Sequence, residues 1–359
     1  MKNKHKWKVI NNISGGDKKI KIPNKISHKG KIFHKPKLIA NICNEYFTDK
    51  VIGISDSFPK FKVSPIEILE LLIPRKQTEF HLPLITFSQT RDIIKSLKSS
   101  NATGFDSLNS KMIKRIGSEF APYLTHLINC SIKKGIYPQA LKCARILPII
   151  KKGKPEHSLS SLRPICNLHI IDKCFEQWIK INLINYLNEN KILLPAHHGG
   201  RKNFSTATAK AELDLVLGKA QEANKISTVL STDLSSCFDT VNSEILLSKL
   251  EHYGIRGGEL KLFRSFLTGR TQYVELSTFK SKILASPDLS VIQGSRLSGI
   301  LYNLYNNEMP LVYKLFNFPE FVKKLIGTEP PPLEGVDHSV ATYVDDSNNA
   351  ISFANFKHQ

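Results

Sequence analysis

Apolar positions follow two different periods along this chain. From about residue 38 to about residue 140 the spacing is helical. "SPIEILELL" has Ser64 as N-cap, Pro65 at the first helical position and Glu67 closing a capping box. Ser88 predicts the cap of a second helix, with Ile93, Ile94 and Leu97 as its inner stripe. "NATGFDSLNSKMIKRIG" reads as a turn around Asn101 and Gly104 that opens a third helix.

From about residue 144 short β-type runs alternate with helices. "ARILPII" is a strand, followed by the Lys/Gly/Pro-rich loop "KKGKPEHSLSSLRP" and a long amphipathic helix over about 170–190. "ISTVLSTD" is a second strand. "NSEILLSKLEHYG" is a helix capped by Asn242 or Ser243 and stopped at Gly254. "TQYVEL" is β-rich, and "IQGSRLSGILYNLYNNEMP" is a loop that opens a helix. "SVATYV" and "SNNAISF" are two β-capable runs around an Asp-Asp pair, which predicts a hairpin. The stretch between Pro310 and Ser339, with three consecutive prolines, reads as a surface insertion.

Residues 1–37 show no apolar period. They hold twelve lysines and one acid, Asp17, and read as a flexible basic arm. Residues 38–85 form a helical N-terminal segment, and 86–359 the main unit. Over all 359 residues the formal charge is +20, which attracts polyanions, nucleic acid first. An apolar content of 41% excludes wholesale disorder. No apolar run approaches the ~18 residues of a membrane span, and no signal-peptide pattern opens the chain. An intracellular protein without membrane contact is the expectation, in nucleus or cytoplasm. The six cysteines form no CxxC pair, so neither a zinc site nor a disulfide framework is signalled.

The sharpest chemical feature is Asp345-Asp346 in "YVDD". Adjacent carboxylates at a strand end repel one another, and crowding them costs energy unless a cation neutralises them. A hard divalent ion such as magnesium takes oxygen ligands. Asp233, closing "ISTVLSTD", is the candidate third carboxylate. Alone, an Asp-Asp pair is common in turns, and only the wider pattern gives it weight.

That pattern is a series of blocks in order. "ATGFDSLNSKMIK", "ARILPIIKKGKPEHSLSSLRPICNLHIIDKCFEQWI", "HHGGRKNFSTATA", "STDLSSCFDTV", "YGIRGGELKLFRSFLTGRTQYVEL", "IQGSRLSGILYNLYNNEMP" and "ATYVDD" together resemble the reverse transcriptases of non-LTR, LINE/jockey-like retrotransposons. The resemblance runs from about residue 85 to the end. It implies an α+β fold, right-hand polymerase fingers and palm with an antiparallel palm sheet backed by helices, which agrees with the order of strands and helices above. It also implies RNA-directed DNA synthesis with an RNA template, a DNA primer, deoxynucleoside triphosphates and two magnesium ions, manganese being a substitute.

Residue by residue, Asp233, Asp345 and Asp346 match the family's metal-binding, catalytic carboxylates. Phe238 matches the aromatic that excludes a ribose 2′-hydroxyl; read on its own it is a core phenylalanine. Arg163 matches the fingers arginine on the incoming triphosphate, and Lys151 and Lys152 occupy the matching basic turn, with Lys154 near. Gln293 and Gly294 match the residues under the nascent base pair. Arg201 and Lys202 are expected on template phosphates. Asp239 reads as a turn or cap residue.

The sequence departs from the family at Gly299, usually proline, at Gly200, usually phenylalanine, and at Cys237, usually alanine; none removes a metal ligand. The chain stops thirteen residues after Asp346, before the family's helical thumb, so a thumbless, truncated core is the expectation. Two alternatives stand beside the polymerase. One is a catalytically inactive, polymerase-derived nucleic-acid-binding fragment. The other is an RNA-directed RNA polymerase, against which Phe238 and the fingers blocks speak. Oligomeric state is not legible.

Overall fold

The computed structural model describes residues 21–56, 64–224, 226–233, 237–289, 291–292, 294–311, 337–343 and 346–353. The expected insertion lies almost wholly outside them, as do residues 1–20 of the basic arm. Among the described residues no helix is long and apolar enough to cross a membrane.

The mixed α/β composition agrees with the class read from the sequence. The main core is helical. Helix α1 (Pro36–Asp56) and α2 (Pro65–Leu72) lead into α3 (Phe87–Ser96), α4 (Ser110–Arg115) and α5 (Gly117–Lys134). Helix α6 (Ile170–Glu189) runs through the centre, with Phe175, Ile179 and Leu183 fully buried. Helices α8 (Ser243–His252), α9 (Gly257–Leu267) and α10 (Ser298–Tyr305) add Leu246, Leu250, Phe263, Phe266 and Leu301 to the same core. Burying such a side chain is worth roughly 1.5–3 kcal/mol, which makes this cluster the main stabilising unit.

Local chemistry sets the helix ends. Ser64 caps α2 as expected, its hydroxyl accepting from the Ile66 amide. For α3 the cap is Thr86 rather than Ser88, because only Thr86 has a partner three residues on: Gln89 closes a capping box. Asn242 caps α8 through the amides of Glu244 and Ile245.

A mixed sheet carries β4 (Leu162–Asn167), β3 (Cys143–Ile150), β6 (Thr271–Leu276) and β7 (Phe279–Lys280) in that order, with β8 (Leu284–Ala285) on β6. Strands β3 and β4 are antiparallel, whereas β3 and β6 are parallel over Cys143–Ile146. Pro148 and Pro164 lie opposite each other beyond the end of the β6 pairing, where a missing N–H costs no bond to a third strand.

Helix α1 covers this sheet. Ile39, Ala40, Cys43 and Phe47 pack against Ile146, Leu162, Val274 and Leu276 in a second, smaller core. The Gln272 amide donates to Asn44 at 3.0 Å and to Thr48 at 3.3 Å, fixing the helix along β6. The end of the expected flexible arm joins this core: β1 (Ile26–His28) and β2 (Lys31–Phe33) form a small hairpin. Ile26 is fully buried there, and the Ser27 amide donates to the His157 carbonyl at 2.8 Å. One buried isoleucine against a distant loop orders a segment whose own pattern predicts none.

The second sheet is antiparallel throughout, in the order β5 (Ile226–Asp233), β10 (Asp346–Phe353), β9 (Asp337–Tyr343). Helix α7 (Thr206–Glu222) touches all three strands. Strands β9 and β10 form the predicted hairpin, with Tyr343 opposite Asp346. The connecting residues 344 and 345 lie outside the described residues.

Candidate active site

Asp233 is the last residue of β5 and Asp346 the first of β10, and they are register partners. Directly opposed residues in an antiparallel ladder have Cα atoms about 4.5–5.5 Å apart. The fold therefore places two residues separated by over a hundred positions of sequence at one end of one sheet. Asp345, third of the expected carboxylates, lies outside the described residues. Among the described residues no group of three His, Cys, Asp or Glu side chains stands ready for a metal. The donor chemistry of the Asp233–Asp346 pair nonetheless suits a hard divalent cation, which takes carboxylate oxygens.

A second feature is a cavity of about 100 Å³ between α1, the mixed sheet and the short 3₁₀ helix Cys237–Thr240. Lys50, Lys151, Cys166, Asp239 and Arg270 are among the residues that line it. Lys50 Nζ lies 3.5 Å from Asp239 Oδ2, and both side chains are only partly exposed. Lys151 donates to the Ser160 carbonyl at 3.0 Å, while its amide bonds the Ser161 carbonyl at 2.8 Å. Desolvation lowers the pKa of the Lys151 ammonium, and the charges of Lys50, Arg163 and Lys154 lower it further. Burial and the Asp239 charge push the Cys166 thiol up to about 12, so it is a packing group rather than a nucleophile.

Strand phase sorts the expected phosphate-binding residues. Leu162, Pro164 and Cys166 of β4 line the cavity. Arg163 is one residue out of phase and exposed, so it belongs to the other face of the ribbon. Lys152 is exposed in the turn after β3. Lys151 is thus the predicted cation that reaches the cavity. Lys50 and the ion-pairing role of Asp239 were not foreseen from the sequence.

Phe238 is half-buried in the 3₁₀ helix, its ring centroid 5.1 Å from that of Tyr302, and its carbonyl accepts from the Val291 amide at 3.0 Å. Gln293 lies outside the described residues. Gly294 has φ +109°, and a Cβ there would stand 2.8 Å from the Cys166 carbonyl oxygen. Glycine is needed for both reasons, and the contact seats this loop directly on β4.

The loop is also held from beneath. Buried Glu176 of α6 accepts from the Arg296 amide at 2.8 Å, and Arg296 donates to Gln177. Burial, with the Asp172 carboxylate one helical turn away, pushes Glu176 up to about 8. Asp172 itself accepts from Tyr137 and lies 3.9 Å from Arg270, which offsets part of its desolvation.

The "HHGGRK" segment has a structural role. Arg201 donates to the carbonyls of Leu194 at 3.0 Å and His197 at 3.1 Å, and its guanidinium lies 4.3 Å from the Phe204 ring centroid. Asn303 of α10 donates to the Gly199 carbonyl at 2.5 Å. His198 bridges Thr208 and Glu212 of α7 at 2.9 and 2.7 Å. Arg201 is therefore engaged within the chain, whereas Lys202 is exposed.

Comparison with known proteins gives the family. Residues 149–354 match the family model described as reverse transcriptase (RNA-dependent DNA polymerase), and the chain belongs to that family. Its relatives place it among the LINE/jockey-like, non-LTR members. The RNA-directed DNA polymerase from mobile element jockey of Drosophila melanogaster is 26% identical over 282 residues, covering 78% of this chain and 29% of the relative. The protein named "Probable RNA-directed DNA polymerase from transposon BS", also from Drosophila melanogaster, is 26% identical over 250 residues, covering 68% and 27% respectively. The chain thus spans less than a third of the length of these relatives.

Proposed function

We propose that this chain carries the nucleotidyl-transfer core of a retrotransposon's RNA-directed DNA polymerase. The observation that supports it best is the register pairing of Asp233 with Asp346 within a family whose members are named as RNA-directed DNA polymerases. In this reading the β5–β10–β9 sheet with α7 is the palm, and the β3–β4 ribbon belongs to the fingers.

Asp233, Asp345 and Asp346 would hold two divalent cations, magnesium or manganese. When bound, such ions neutralise phosphate charge and favour the deprotonated primer hydroxyl. The chain's own residues bind and orient. Lys151 meets the triphosphate of the incoming nucleotide, with Lys152 at the rim; Arg163, on the other face of the ribbon, reaches that triphosphate only if the ribbon moves. Phe238 closes the space beside the sugar, and Gln293 with Gly294 supports the templating pair. Lys202, exposed after the "HHGG" turn, meets the template backbone electrostatically. The primer 3′-oxygen forms a bond to the α-phosphorus, the bond from that phosphorus to the bridging oxygen breaks, pyrophosphate leaves, and the hydroxyl proton passes to water. Positioning and charge neutralisation supply most of the acceleration.

Primer extension by the purified chain tests this, with an RNA template, an annealed DNA primer, magnesium and four deoxynucleotides. Extension that is lost in the Asp345→Asn/Asp346→Asn double variant supports the polymerase reading. Salt-sensitive template binding without extension would instead favour a binding module derived from a polymerase. Extension with ribonucleotides alone would point to RNA synthesis.

A further inference from the structure

A second cavity, of about 260 Å³, opens where the loop after α3, the start of α6 and the Gly294 loop meet. Three cations line it: Lys98, Lys173 and Arg296. No carboxylate is among its lining residues. Among the described residues, no carboxylate lies within ion-pair distance of any of the three charged groups. Lys98 is exposed, and Lys173 and Arg296 are half-buried, so all three can reach a ligand from solvent. Arg296 donates to the neutral side chain of Gln177, which leaves its charge unmatched.

The two carboxylates on the first turns of α6 belong to the core. Asp172 is fully buried, accepts from Tyr137 and faces Arg270 at 3.9 Å. Glu176 is also fully buried, and its Oε2 accepts from the Arg296 amide at 2.8 Å. Burial pushes Glu176 up to about 8, so it carries little charge near neutral pH. Helix α6 begins at the cavity wall with Ile170, and no side chain caps that end, which adds the positive end of a twenty-residue helix dipole. Three like charges and a dipole end around one space repel one another, and phosphate relieves that repulsion.

The walls are fixed from within the chain. Buried Ser110, the first residue of α4, donates to the Lys98 carbonyl and accepts from the Ser100 amide, both at 2.8 Å. This places Lys98, which precedes the matched family region, against α6. The Gly294 loop parts this cavity from the one under α1: Val291 and Ile292 line the first, Gly294 and Arg296 the second. A strand whose templating base rests on Gly294 therefore has its next phosphates beside the three cations.

We propose that Lys98, Lys173 and Arg296 form a seat for the backbone phosphates of the unpaired template strand, just ahead of the templating base. This inference rests on the polymerase reading above and extends it to the path of the template.

The test is binding of the full chain to RNA–DNA hybrids by fluorescence anisotropy at several salt concentrations. One hybrid is blunt, one has a 5′ RNA overhang, and one has the same overhang with uncharged methylphosphonate linkages. Wild type is expected to bind the charged overhang about tenfold more tightly than either other hybrid. Lys98→Gln/Lys173→Gln is expected to lose that gain, to bind the blunt hybrid as wild type does, and to lower the salt slope on the overhang by about 1.4. Lys98→Arg/Lys173→Arg is expected to keep it. Equal weakening on blunt and overhang hybrids would overturn the proposal, because the lysines then act only through general charge. An overhang gain that the Gln variant retains would overturn it too. Loss of dTTP binding in the Gln variant, with the overhang gain intact, would make the seat a nucleotide site and likewise overturn it. Primer extension by the wild-type chain is run in parallel. An overhang gain that depends on the lysines, without extension, supports the seat while the polymerase reading fails.

Discussion

Asp346 opens β10 directly opposite Asp233, which closes β5. The pairing continues without a break for seven more residues, to Phe353 opposite Ile226, so the whole ladder sets the register at the carboxylate end. A slip of one residue would move every side chain of β10 to the other face. The proposed chemistry is therefore tied to the integrity of the β5–β10 ladder.

Gly294 is the most constrained position in the loop that rests on β4. Its φ of +109° and the 2.8 Å approach of a Cβ to the Cys166 carbonyl make Gly294→Ala costly. A loss of about 1–3 kcal/mol is expected, from backbone strain plus displacement of the loop. Urea unfolding of the variant measures it; an unchanged midpoint would contradict the packing described.

Glu176 makes stability depend on pH. Its folded pKa of about 8 stands above the ordinary carboxylate value, so the folded state holds a proton that the unfolded chain has released. Stability then falls as pH rises from about 4.5 towards 8. Glu176→Gln keeps an acceptor for the Arg296 amide and flattens this dependence. Unfolding midpoints for both proteins across that range check it, and parallel curves would count against a protonated Glu176.

Arg201 and Lys202 are neighbours with opposite expected effects. Arg201→Ala removes two carbonyl contacts and the stacking on Phe204, and lowers stability by about 1–2 kcal/mol. Lys202→Ala leaves stability unchanged and reduces the salt slope of RNA binding by about 1. Thermal melts and filter binding at several salt concentrations separate the two.

Phe238 touches Tyr302 and stands one residue before Asp239. Phe238→Ala is expected to admit ribonucleotides, read as a fall in the ratio of kcat/KM for deoxynucleotides to that for ribonucleotides. Lower stability with an unchanged ratio would return the ring to a packing role.

Much of this was legible in the sequence where the signal is local. The apolar run "ISTVLSTD" and the β-capable runs flanking the Asp-Asp pair predict strands, and these are the strands of the antiparallel sheet. Asn242 was a readable cap because its partners lie two and three residues on. What was not legible is non-local. Lys50 and Asp239 are 189 residues apart, and no pattern in either segment points to the other. The side of the ribbon that Arg163 occupies is fixed by how α1 covers β4, which is a tertiary fact. Arg201 resembled a surface base because its carbonyl partners have no sequence signature.

The most direct test of the central claim is a mutant cycle on the register pair, read as single-turnover primer extension on an RNA template. Wild type is compared with Asp233→Asn, Asp346→Asn and the double variant. If the two carboxylates act as one unit, each single change lowers the rate by about a thousandfold or more and the double loses little beyond that. Extension that survives Asp233→Asn, or losses that simply add in the double variant, would contradict a shared site at the end of β5 and β10.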